Sequence, residues 1–421
     1  MRVHLDYGTS GLELDVPDER TVVVAPRHAP AVADPAAALD AALAAPTAGP
    51  PLSTLVTAGQ RVAISVCDIT RAQPREGMLA AIVRALPQVR AEDVTILIAT
   101  GTHRANTADE LTRMLGADIV ARYRVVNHDA RDEATLACAG ATSAGVPIWL
   151  NRAWLDADVR LTTGFVEPHF FAGFSGGPKM VAPGLAGLAT TLVLHDARHI
   201  GHPNATWGLT EGNPIHDDVR EIARLTGVDF ALDVALNRDQ AITAVFAGEL
   251  FAEHAAACAH VRATAMCPVD ARVDVVVTTN SGYPLDQNLY QAVKGMSAAA
   301  CIVKPGGTIV CAAECRDGVP DHGPYGRLLK QRRTPGELLE MVEAPGFAEQ
   351  DAWQVQVQAL IQRRARVLVK ADGLTHDQIR AAHLEPVTDV GIAVREALAA
   401  AGSDATLAVL PHGPQTIPYL R

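Results

Sequence analysis

Continuous apolar runs that alternate with helical segments constrain the fold of this chain more than any other feature. The runs are VAISVCD, VTILIAT, VRLTTGF and VDVVVTTN. Runs of this kind are typical of strands that are buried on both faces of a parallel sheet. Segments such as GMLAAIVRAL and ADELTRML have the spacing of helices. The alternation predicts an α/β fold with mainly parallel sheets and right-handed crossover connections.

An interruption of this pattern predicts two α/β domains. The segment 262–272, RATAMCPVDAR, is polar and contains a proline, so we place the boundary there. The first predicted domain covers residues 1–268 and the second covers residues 272–404. The tail 405–421 is a strand followed by a loop rich in proline and glycine. Its return to the first domain stays open as an alternative.

Composition and charge exclude several classes of protein. The chain has 421 residues, of which 48% are hydrophobic and 20% charged, and this balance excludes intrinsic disorder. The net charge of −11 at pH 7 argues against a nucleic acid or an anionic membrane as the partner. The sequence has neither an apolar run of membrane-spanning length nor the apolar start of a signal peptide. We therefore expect a soluble protein of the cytoplasm.

Polar residues follow four of the predicted strands at their carboxyl ends. Ligands of parallel α/β sheets bind outside these ends. Hydroxyl groups, arginines and backbone N–H groups at such turns can hold a phosphate or a carboxylate, although each turn alone also fits an ordinary capped turn. The four turns are Asp68–Arg71, Gly101–Arg104, Val166–His169 and Ser281–Pro284.

A segment rich in glycine and proline, FFAGFSGGPKMVAPGLAGLATT, surrounds Lys179. It is not a nucleotide-binding P-loop, because Pro178 and Met180 stand where Gly and Ser or Thr are required. Backbone at Gly176 and Gly177 can approach a large planar ligand closely, with the lysine amine at the centre of the loop. The alternative is an irregular surface loop with a solvated lysine.

Histidines follow this segment at His195, His199 and His202. If the segment is helical, His195 and His199 lie one turn apart and share a face. Imidazole is a ligand for nickel, zinc, copper and iron. The spacing resembles that of zinc proteases, but Asp196 stands where those enzymes have glutamate. Histidines with a structural or solvated role are the alternative.

A predicted helix of the second domain carries Tyr290, Gln291 and Lys294. Tyr290 and Gln291 precede Lys294 by four and three residues, so all three side chains can bind one small anion. We expect this helix to begin at an N-cap formed by Asp286. An exposed polar helix face is the alternative.

Taken together and in this order, DITR, GTHR, EPHFFAGFSGGPKMVAPGLAG, His195 and NSGYPLDQNLYQAVKG resemble the lactate racemase family over nearly the whole chain. The resemblance implies two α/β domains with an active-site cleft between them. It also implies an isomerase that racemises a small 2-hydroxy acid such as lactate, by reversible hydride transfer from C2. The family's cofactor is a nickel-pincer nucleotide, a pyridinium-3,5-bisthiocarboxylic acid mononucleotide that holds nickel. The enzymes that assemble this cofactor are then implied partners.

The resemblance also assigns roles to individual residues. It implies that His103 and His169 are the acid/base pair, that Lys179 carries the cofactor and that His195 binds nickel. Ala72 departs from the family pattern, which often has proline after the arginine of DITR. The family assigns no role to His199 or His202, and Trp353 matches an aromatic residue of the site. The other implied residues are Asp68, Thr70, Gly101, Gly176 and Gly177 for the cofactor, and Arg71, Tyr290, Gln291 and Lys294 for the substrate.

Three other functions stay open from the sequence. The first is a 2-epimerase of sugar acids or a racemase of larger 2-hydroxy acids, because pocket shape distinguishes these from a lactate racemase. The second is a zinc hydrolase that uses His195 and His199. The third is a non-catalytic protein that binds a nucleotide or a small acid.

Overall fold

The computed structural model describes residues 1–27, 29–320 and 323–421, which divide into two compact units. The terminal unit consists of Met1–Arg27, Asp196–Pro203 and Ala263–Arg421. The central unit consists of His28–His195 and Asn204–Arg262. Each unit is built around its own six-stranded sheet.

The described residues form helices and strands in alternation along most of the chain. The helices are α1 Pro35–Ala44, α2 Leu52–Leu55, α3 Arg75–Ala85, α4 Ala108–Leu115, α5 Ala117–Arg122, α6 Arg152–Leu155, α7 Leu188–Leu194, α8 Ala197–Ile200, α9 Pro214–Thr226, α10 Leu250–Ala265, α11 Leu289–Ala300, α12 Tyr325–Leu329, α13 Pro335–Val342, α14 Ala352–Arg364, α15 His376–Ala381 and α16 Val390–Ala401. The strands are β1 Arg2–Leu5, β2 Leu12–Asp15, β3 Thr21–Val23, β4 Val62–Cys67, β5 Val94–Ala99, β6 Arg124–Asn127, β7 Leu136–Ala141, β8 Pro147–Asn151, β9 Val159–Phe165, β10 Pro168–His169, β11 Gly173–Phe174, β12 Phe230–Leu236, β13 Ile242–Gly248, β14 Met266–Val269, β15 Val273–Thr279, β16 Val303–Ala312, β17 Arg366–Lys370, β18 Glu385–Pro386, β19 Leu407–Leu410 and β20 Ile417–Leu420.

The sheet of the central unit has the strand order β13-β12-β9-β4-β5-β6. All neighbours pair in parallel except β13, which is antiparallel to β12. Every residue of β4 is buried, as the apolar run predicted. The chain adds β5 and β6 on one side of β4, and β9 and β12 on the other. The carboxyl ends of β4 and β9 therefore meet where the winding direction reverses, which is the usual ligand position of such sheets.

The sheet of the terminal unit has the order β18-β17-β16-β15-β19-β3 and is parallel throughout. Its core is formed by valines and leucines of the central strands and by the apolar face of α16. Two mainly parallel sheets, each with helices, confirm the predicted α/β class.

The compact units differ from the predicted domain boundaries in three places. Residues 1–27 belong to the terminal unit, because β3 pairs in parallel with β19. The tail 405–421 stays in the same unit, because β19 also pairs with β15. The short segment Asp196–Pro203 belongs to it as well. These assignments depend on pairings between residues far apart in sequence, which local patterns do not show.

The predicted N-cap of α11 is wrong. The helix begins at Leu289, and the side chain of Asn288 accepts a hydrogen bond from the Gln291 amide. Asp286 is fully buried, and its Oδ2 accepts hydrogen bonds from the amides of Gly8 and Glu314 instead. The carboxylate therefore ties two distant loops of the terminal unit together.

Gly295 allows α11 to lie directly on β15. A Cβ atom at this position would lie 2.0 Å from the carbonyl oxygen of Thr279, which is far inside van der Waals contact. We expect Gly295→Ala to lower the free energy of unfolding by about 3 kcal/mol, because backbone must move to accept the methyl group. Thermal and denaturant unfolding measure this change.

Gly77 provides the matched control, because it also lies within a helix, α3. A Cβ atom there would meet one atom of Leu39 at 3.9 Å, an ordinary contact. Gly77→Ala should raise the free energy of unfolding by about 0.5 to 1 kcal/mol through helix propensity. Equal effects of the two substitutions would show that the close approach at Gly295 is not present.

Candidate active site

Asp68 orients His103 at the ends of β4 and β5. The Asp68 carboxylate is 2% exposed, and its Oδ2 lies 2.8 Å from Nδ1 of His103. The hydroxyl of Thr70 donates to its other oxygen at 2.7 Å. Burial raises the pKa of Asp68, but His103, Thr70 and Arg71 lower it by more, so the pKa lies below its ordinary value. The ionised carboxylate can accept the Nδ1 proton of His103, and Nε2 of the ring is then the nitrogen left for proton transfer.

Arg75 holds the loop that carries Asp68 and Arg71. Its guanidinium is buried and donates to the carbonyl oxygens of Cys67 at 2.7 Å, Gln73 at 3.1 Å and Arg71 at 2.7 Å. It also donates to the carbonyl of Asp68. One rigid side chain thus fixes the carbonyls of four loop residues. Desolvation lowers the pKa of Arg75 from its ordinary value.

His169 is held through its Nδ1 by a backbone amide. The Ala172 amide donates a hydrogen bond to this nitrogen at 3.2 Å. A neutral imidazole whose Nδ1 accepts carries its proton on Nε2. This Nε2 lies 3.3 Å from Nζ of Lys179, and it can donate to that amine only when the amine is uncharged. Nδ1 is thus occupied in both histidines, and Nε2 of each ring is the nitrogen left for proton transfer.

Phe171 brings three of the predicted site residues together. The ring of His169 packs edge-on against Phe171 with centroids 4.5 Å apart, and His195 does so at 5.1 Å. Nζ of Lys179 lies 5.7 Å from the centroid of the same ring. The predicted acid/base histidine, metal ligand and attachment lysine thus surround one aromatic side chain.

Positive backbone φ angles allow the glycine-rich segment to fold tightly beside this group. Gly176 and Gly177 have φ angles of 70° and 50°, which side chains other than glycine rarely accept. A Cβ atom at Gly177 would lie 2.5 Å from the ring of His254. A short 3₁₀ turn, Gly177–Met180, begins here and carries Lys179.

A cluster of buried ionisable side chains lies behind this turn. Asp233 and Glu253 are fully buried, and His216 and His254 are 4% and 1% exposed. Desolvation raises the pKa of Asp233 to about 7 and raises that of Glu253 well above its ordinary value. Desolvation also lowers the pKa of His216 to about 3 and that of His254 to about 4. The two histidines are therefore uncharged at neutral pH.

The break between α7 and α8 separates the histidines that the zinc hydrolase alternative requires. The helix α7 ends at Leu194 with His195 as its C-cap, and Asp196 begins α8 as an N-cap. His199 is paired with Asp196 at 2.7 Å. The residues that the structure describes contain no group of three or more His, Cys, Asp or Glu side chains that could hold a metal ion. The zinc hydrolase therefore gains no support.

The predicted substrate residues of the second domain lie on α11 in the terminal unit. Tyr290, Gln291 and Lys294 are all half-buried and follow one face of the helix. The indole of Trp353 donates to the hydroxyl of Tyr290 at 3.2 Å. Gln354, which is fully buried, donates to the Tyr290 carbonyl at 2.5 Å. Helix α14 therefore fixes Tyr290 at both its side chain and its backbone.

Sequence reasoning missed Arg75, Gln354 and Asp233. Arg75 follows the DITR motif in the first turn of α3, where an arginine is ordinarily exposed. Asp233 had a clear signal, because it is an acid inside the apolar strand FALDVAL. A single acid in a strand that is buried on both faces requires a hydrogen-bond partner. The sequence alone could therefore have indicated that Asp233 binds another group.

Comparison with known proteins identifies the family. The family model for the lactate racemase N-terminal domain matches residues 7–208, and the model for the C-terminal domain matches residues 269–417. The chain belongs to the lactate racemase family. It is 33% identical to lactate racemase of Thermoanaerobacterium thermosaccharolyticum, over 99% of this chain and 98% of that protein. It is 35% identical to lactate racemase of Lactiplantibacillus plantarum, over 86% of each chain.

Solved structures agree with this membership. The apoprotein of the T. thermosaccharolyticum lactate racemase superposes with a TM-score of 0.92 at 32% identity, and the match covers 99% of this chain and 100% of that one. A protein of Thermotoga maritima matches with a TM-score of 0.67 at 19% identity, over 88% of this chain and 96% of that one, and shows a shared fold. The predicted resemblance and the prediction of an isomerase are confirmed. No helix in the described part of this family member could span a membrane.

Replacement of Asp233 should change how stability depends on pH. Its raised pKa means that unfolding releases a proton between about pH 4 and pH 7, so Asp233 destabilises the native state as the pH rises through this range. We expect Asp233→Asn to become more stable relative to the natural protein by up to about 1.4 kcal/mol per pH unit between pH 5 and pH 7, with no further change above about pH 8. Chemical unfolding at several pH values measures the difference, and a difference independent of pH would contradict the buried acid.

Proposed function

We propose that this protein racemises a small 2-hydroxy acid, with lactate as the first candidate. The observation that carries the proposal is that Nδ1 of His103 meets the Asp68 carboxylate and Nδ1 of His169 meets the Ala172 amide, which leaves Nε2 of each ring for proton transfer. Racemisation through a planar intermediate needs one group that takes a proton and another that gives one. The names of the relatives, both lactate racemases, support the same reaction class.

The residues of the central unit fit a nickel-pincer nucleotide. The glycine turn at Gly176 and Gly177 packs against the buried side chains of Asp233 and His254, and it carries Lys179, whose amine can form an amide with an arm of the cofactor. The imidazole of His195, against Phe171, is a suitable ligand for nickel. We assign attachment to Lys179 and the nucleotide to Asp68, Thr70, Gly101 and the two glycines. When bound, the cofactor supplies an acceptor for the hydride of C2, and this chemistry is not available from side chains alone.

We assign the substrate carboxylate to Arg71 in the central unit, and the binding of a small anion to Lys294 in the terminal unit. A guanidinium can bind a carboxylate through two parallel hydrogen bonds, and an ammonium adds a further charge. Tyr290 and Gln291, on the same helix face as Lys294, provide a hydroxyl and an amide for the remaining oxygens. Holding the carboxylate in place allows the planar 2-keto acid to remain bound while it presents its other face.

The two histidines divide the proton transfers between them. Neutral His103 accepts the hydroxyl proton of one enantiomer at Nε2, and Asp68 stabilises the imidazolium that results. His169 enters this direction as an imidazolium, gives its Nε2 proton to the carbonyl oxygen on the opposite side and is left neutral. In the reverse direction the two exchange roles, because each step must run backward along the same path.

The size of the substrate distinguishes this proposal from its closest alternatives. A 2-epimerase of sugar acids or a racemase of larger 2-hydroxy acids would use the same histidines and the same cofactor. Racemisation rates over a panel of hydroxy acids of increasing length decide between them. A non-catalytic binding protein would show no exchange of the C2 centre with any member of the panel.

The protein should carry a covalent adduct at Lys179 when it is produced together with the enzymes that assemble the cofactor. Intact mass should then exceed 44.4 kDa by one nucleotide-sized group, and nickel should be present. Lys179→Ala should abolish the added mass, because the alanine has no amine. Lys330→Ala removes an exposed lysine and should leave the adduct unchanged. An adduct that maps to another lysine would contradict the assignment.

Replacement of either histidine should block racemisation in both directions by about a hundredfold or more. A single turnover should nevertheless survive for one enantiomer only. After acid quench, His103→Ala should yield keto acid from one pure enantiomer, and His169→Ala should yield it from the other, because each variant retains one base.

His202→Ala, which removes an exposed histidine of the terminal unit, serves as the control and should racemise normally. If both active-site variants lose the same enantiomer, the two histidines act from one side and the mechanism above is wrong.

A further inference from the structure

The carboxylate of Asp233 makes a direct contact with the turn that carries Lys179. Its Oδ2 accepts a hydrogen bond from the Gly177 amide at 2.6 Å. Gly177 is the first residue of the 3₁₀ turn, and the amide of Lys179 in the same turn donates to the Gly176 carbonyl at 3.1 Å. Asp233 therefore holds the start of the turn, two residues before the lysine.

Glycines leave the space that this carboxylate occupies. Asp233 on β12 is paired with Gly164 on β9, so the two positions face the same side of the sheet. A Cβ atom at Gly164 would lie 2.7 Å from Oδ1 of Asp233, and one at Gly176 would lie 2.7 Å from Oδ2. The side chain is thus enclosed between a strand and the lysine turn, and neither neighbour could carry a side chain without displacing it.

We propose that Asp233 is a positioning residue for Lys179, because it fixes the glycine turn through the Gly177 amide and thereby directs the lysine amine. The proposal rests on the proposed function, in which Lys179 carries the cofactor. Asp233 touches neither the lysine amine nor the histidines in any contact described above, so it acts through the turn.

The surroundings of Asp233 explain why an acceptor is needed at this position. The Gly177 amide is buried, and a buried amide without an acceptor is costly. The ionisable groups around Asp233 are Cys67 of β4 and Glu253, His254 and Cys258 of α10, and all are buried. Burial raises the pKa of both thiols and of Glu253, and the acceptor that the Gly177 amide reaches among these groups is Oδ2 of Asp233.

Retaining Asp233 also has a measurable disadvantage for the fold. Its Oδ1 has no hydrogen-bond partner among the described residues, and burial raises the pKa of the acid to about 7. A residue kept only for stability would not leave a carboxylate oxygen unpaired in the core. We therefore expect a variant without the carboxylate to be at least as stable as the natural protein and to position the Lys179 amine less well.

Two substitutions that keep the branched shape and the number of side-chain heavy atoms of aspartate separate the hydrogen bond from simple packing. Asp233→Asn keeps an oxygen that can accept from the Gly177 amide, whereas Asp233→Leu fills the space without an acceptor. The first readout is the fraction of protein that carries the adduct at Lys179 after production with the cofactor-assembly enzymes. The second readout is the rate at which a small amine-acylating reagent modifies Lys179 in the apoprotein, with the exposed Lys330 in the same sample as the reference.

We expect the asparagine variant to remain within about twofold of the natural protein in both readouts. The leucine variant should change the Lys179 to Lys330 ratio of acylation rates, and lower the adduct fraction, by about tenfold, the effect of one lost hydrogen bond. Its thermal unfolding should be unchanged or shifted upward. A leucine variant that matches the natural protein in both readouts overturns the proposal, as does an asparagine variant impaired as strongly as the leucine variant.

If the leucine variant does not fold, hydrogen exchange in the natural protein and a substitution of Gly164 still test the proposal. Hydrogen exchange of the Gly177 amide in the natural apoprotein should be slow, and exchange as fast as in an exposed loop overturns the proposal. Gly164→Ala, which displaces the carboxylate without removing it, should alter the acylation rate of Lys179 in the same direction as Asp233→Leu. An unchanged rate in a folded Gly164→Ala protein also overturns it.

The two readouts separate this inference from the proposed function. If the natural protein carries no adduct at Lys179 under any condition, the proposed attachment fails. The acylation rates in the apoprotein still decide whether Asp233 positions the lysine, because they require no cofactor.

Discussion

Hydrogen bonds between the glycine-rich segment and the strand ends of the central sheet are the constraint on which the rest of the site depends. Four separate strands or their following turns take part, so the segment cannot shift relative to one strand without breaking its bonds to the others. Its glycines allow the backbone to come close enough for these bonds to form. The four bonds are Ser65 Oγ to the Met180 carbonyl at 2.8 Å, the Gly101 amide to the Gly184 carbonyl at 3.0 Å, the Ser175 amide to the Glu167 carbonyl at 2.9 Å, and the Gly177 amide to Asp233 at 2.6 Å.

The strands that form each sheet's centre could be predicted from the sequence, and the peripheral pairings could not. Runs such as VAISVCD are apolar at every position because they are buried on both faces. The hairpin of β7 and β8 was missed, because LACAGA consists of residues with weak strand preference. The pairing of β3 with β19 joins residues nearly four hundred positions apart. No local pattern records such a pairing, so the first residues were assigned to the wrong sheet.

The residues of the candidate site also divide into those that the local sequence shows and those that depend on distant partners. Asp68, His103 and His169 could be proposed from the sequence because they stand directly after predicted strands, and the geometry of a parallel sheet collects such positions at one edge. Arg75 and Asp233 were missed because their partners are backbone groups of other loops. The helix cap at Asp286 was assigned to the wrong role for the same reason: an aspartate before a helix is a common cap, but this one binds amides from two other segments.

The protein would respond differently to a proton added to His103 and to a proton added to His169. A proton added to His103 leaves its bond to the Asp68 carboxylate intact and adds a favourable charge interaction. A proton added to His169 at Nδ1 removes the acceptor of the Ala172 amide, which must then break its hydrogen bond. The two enantiomers of a free 2-hydroxy acid have equal energies, yet the protein that binds them is not symmetric. It follows that the states of the protein with the proton on His103 and on His169 differ in energy.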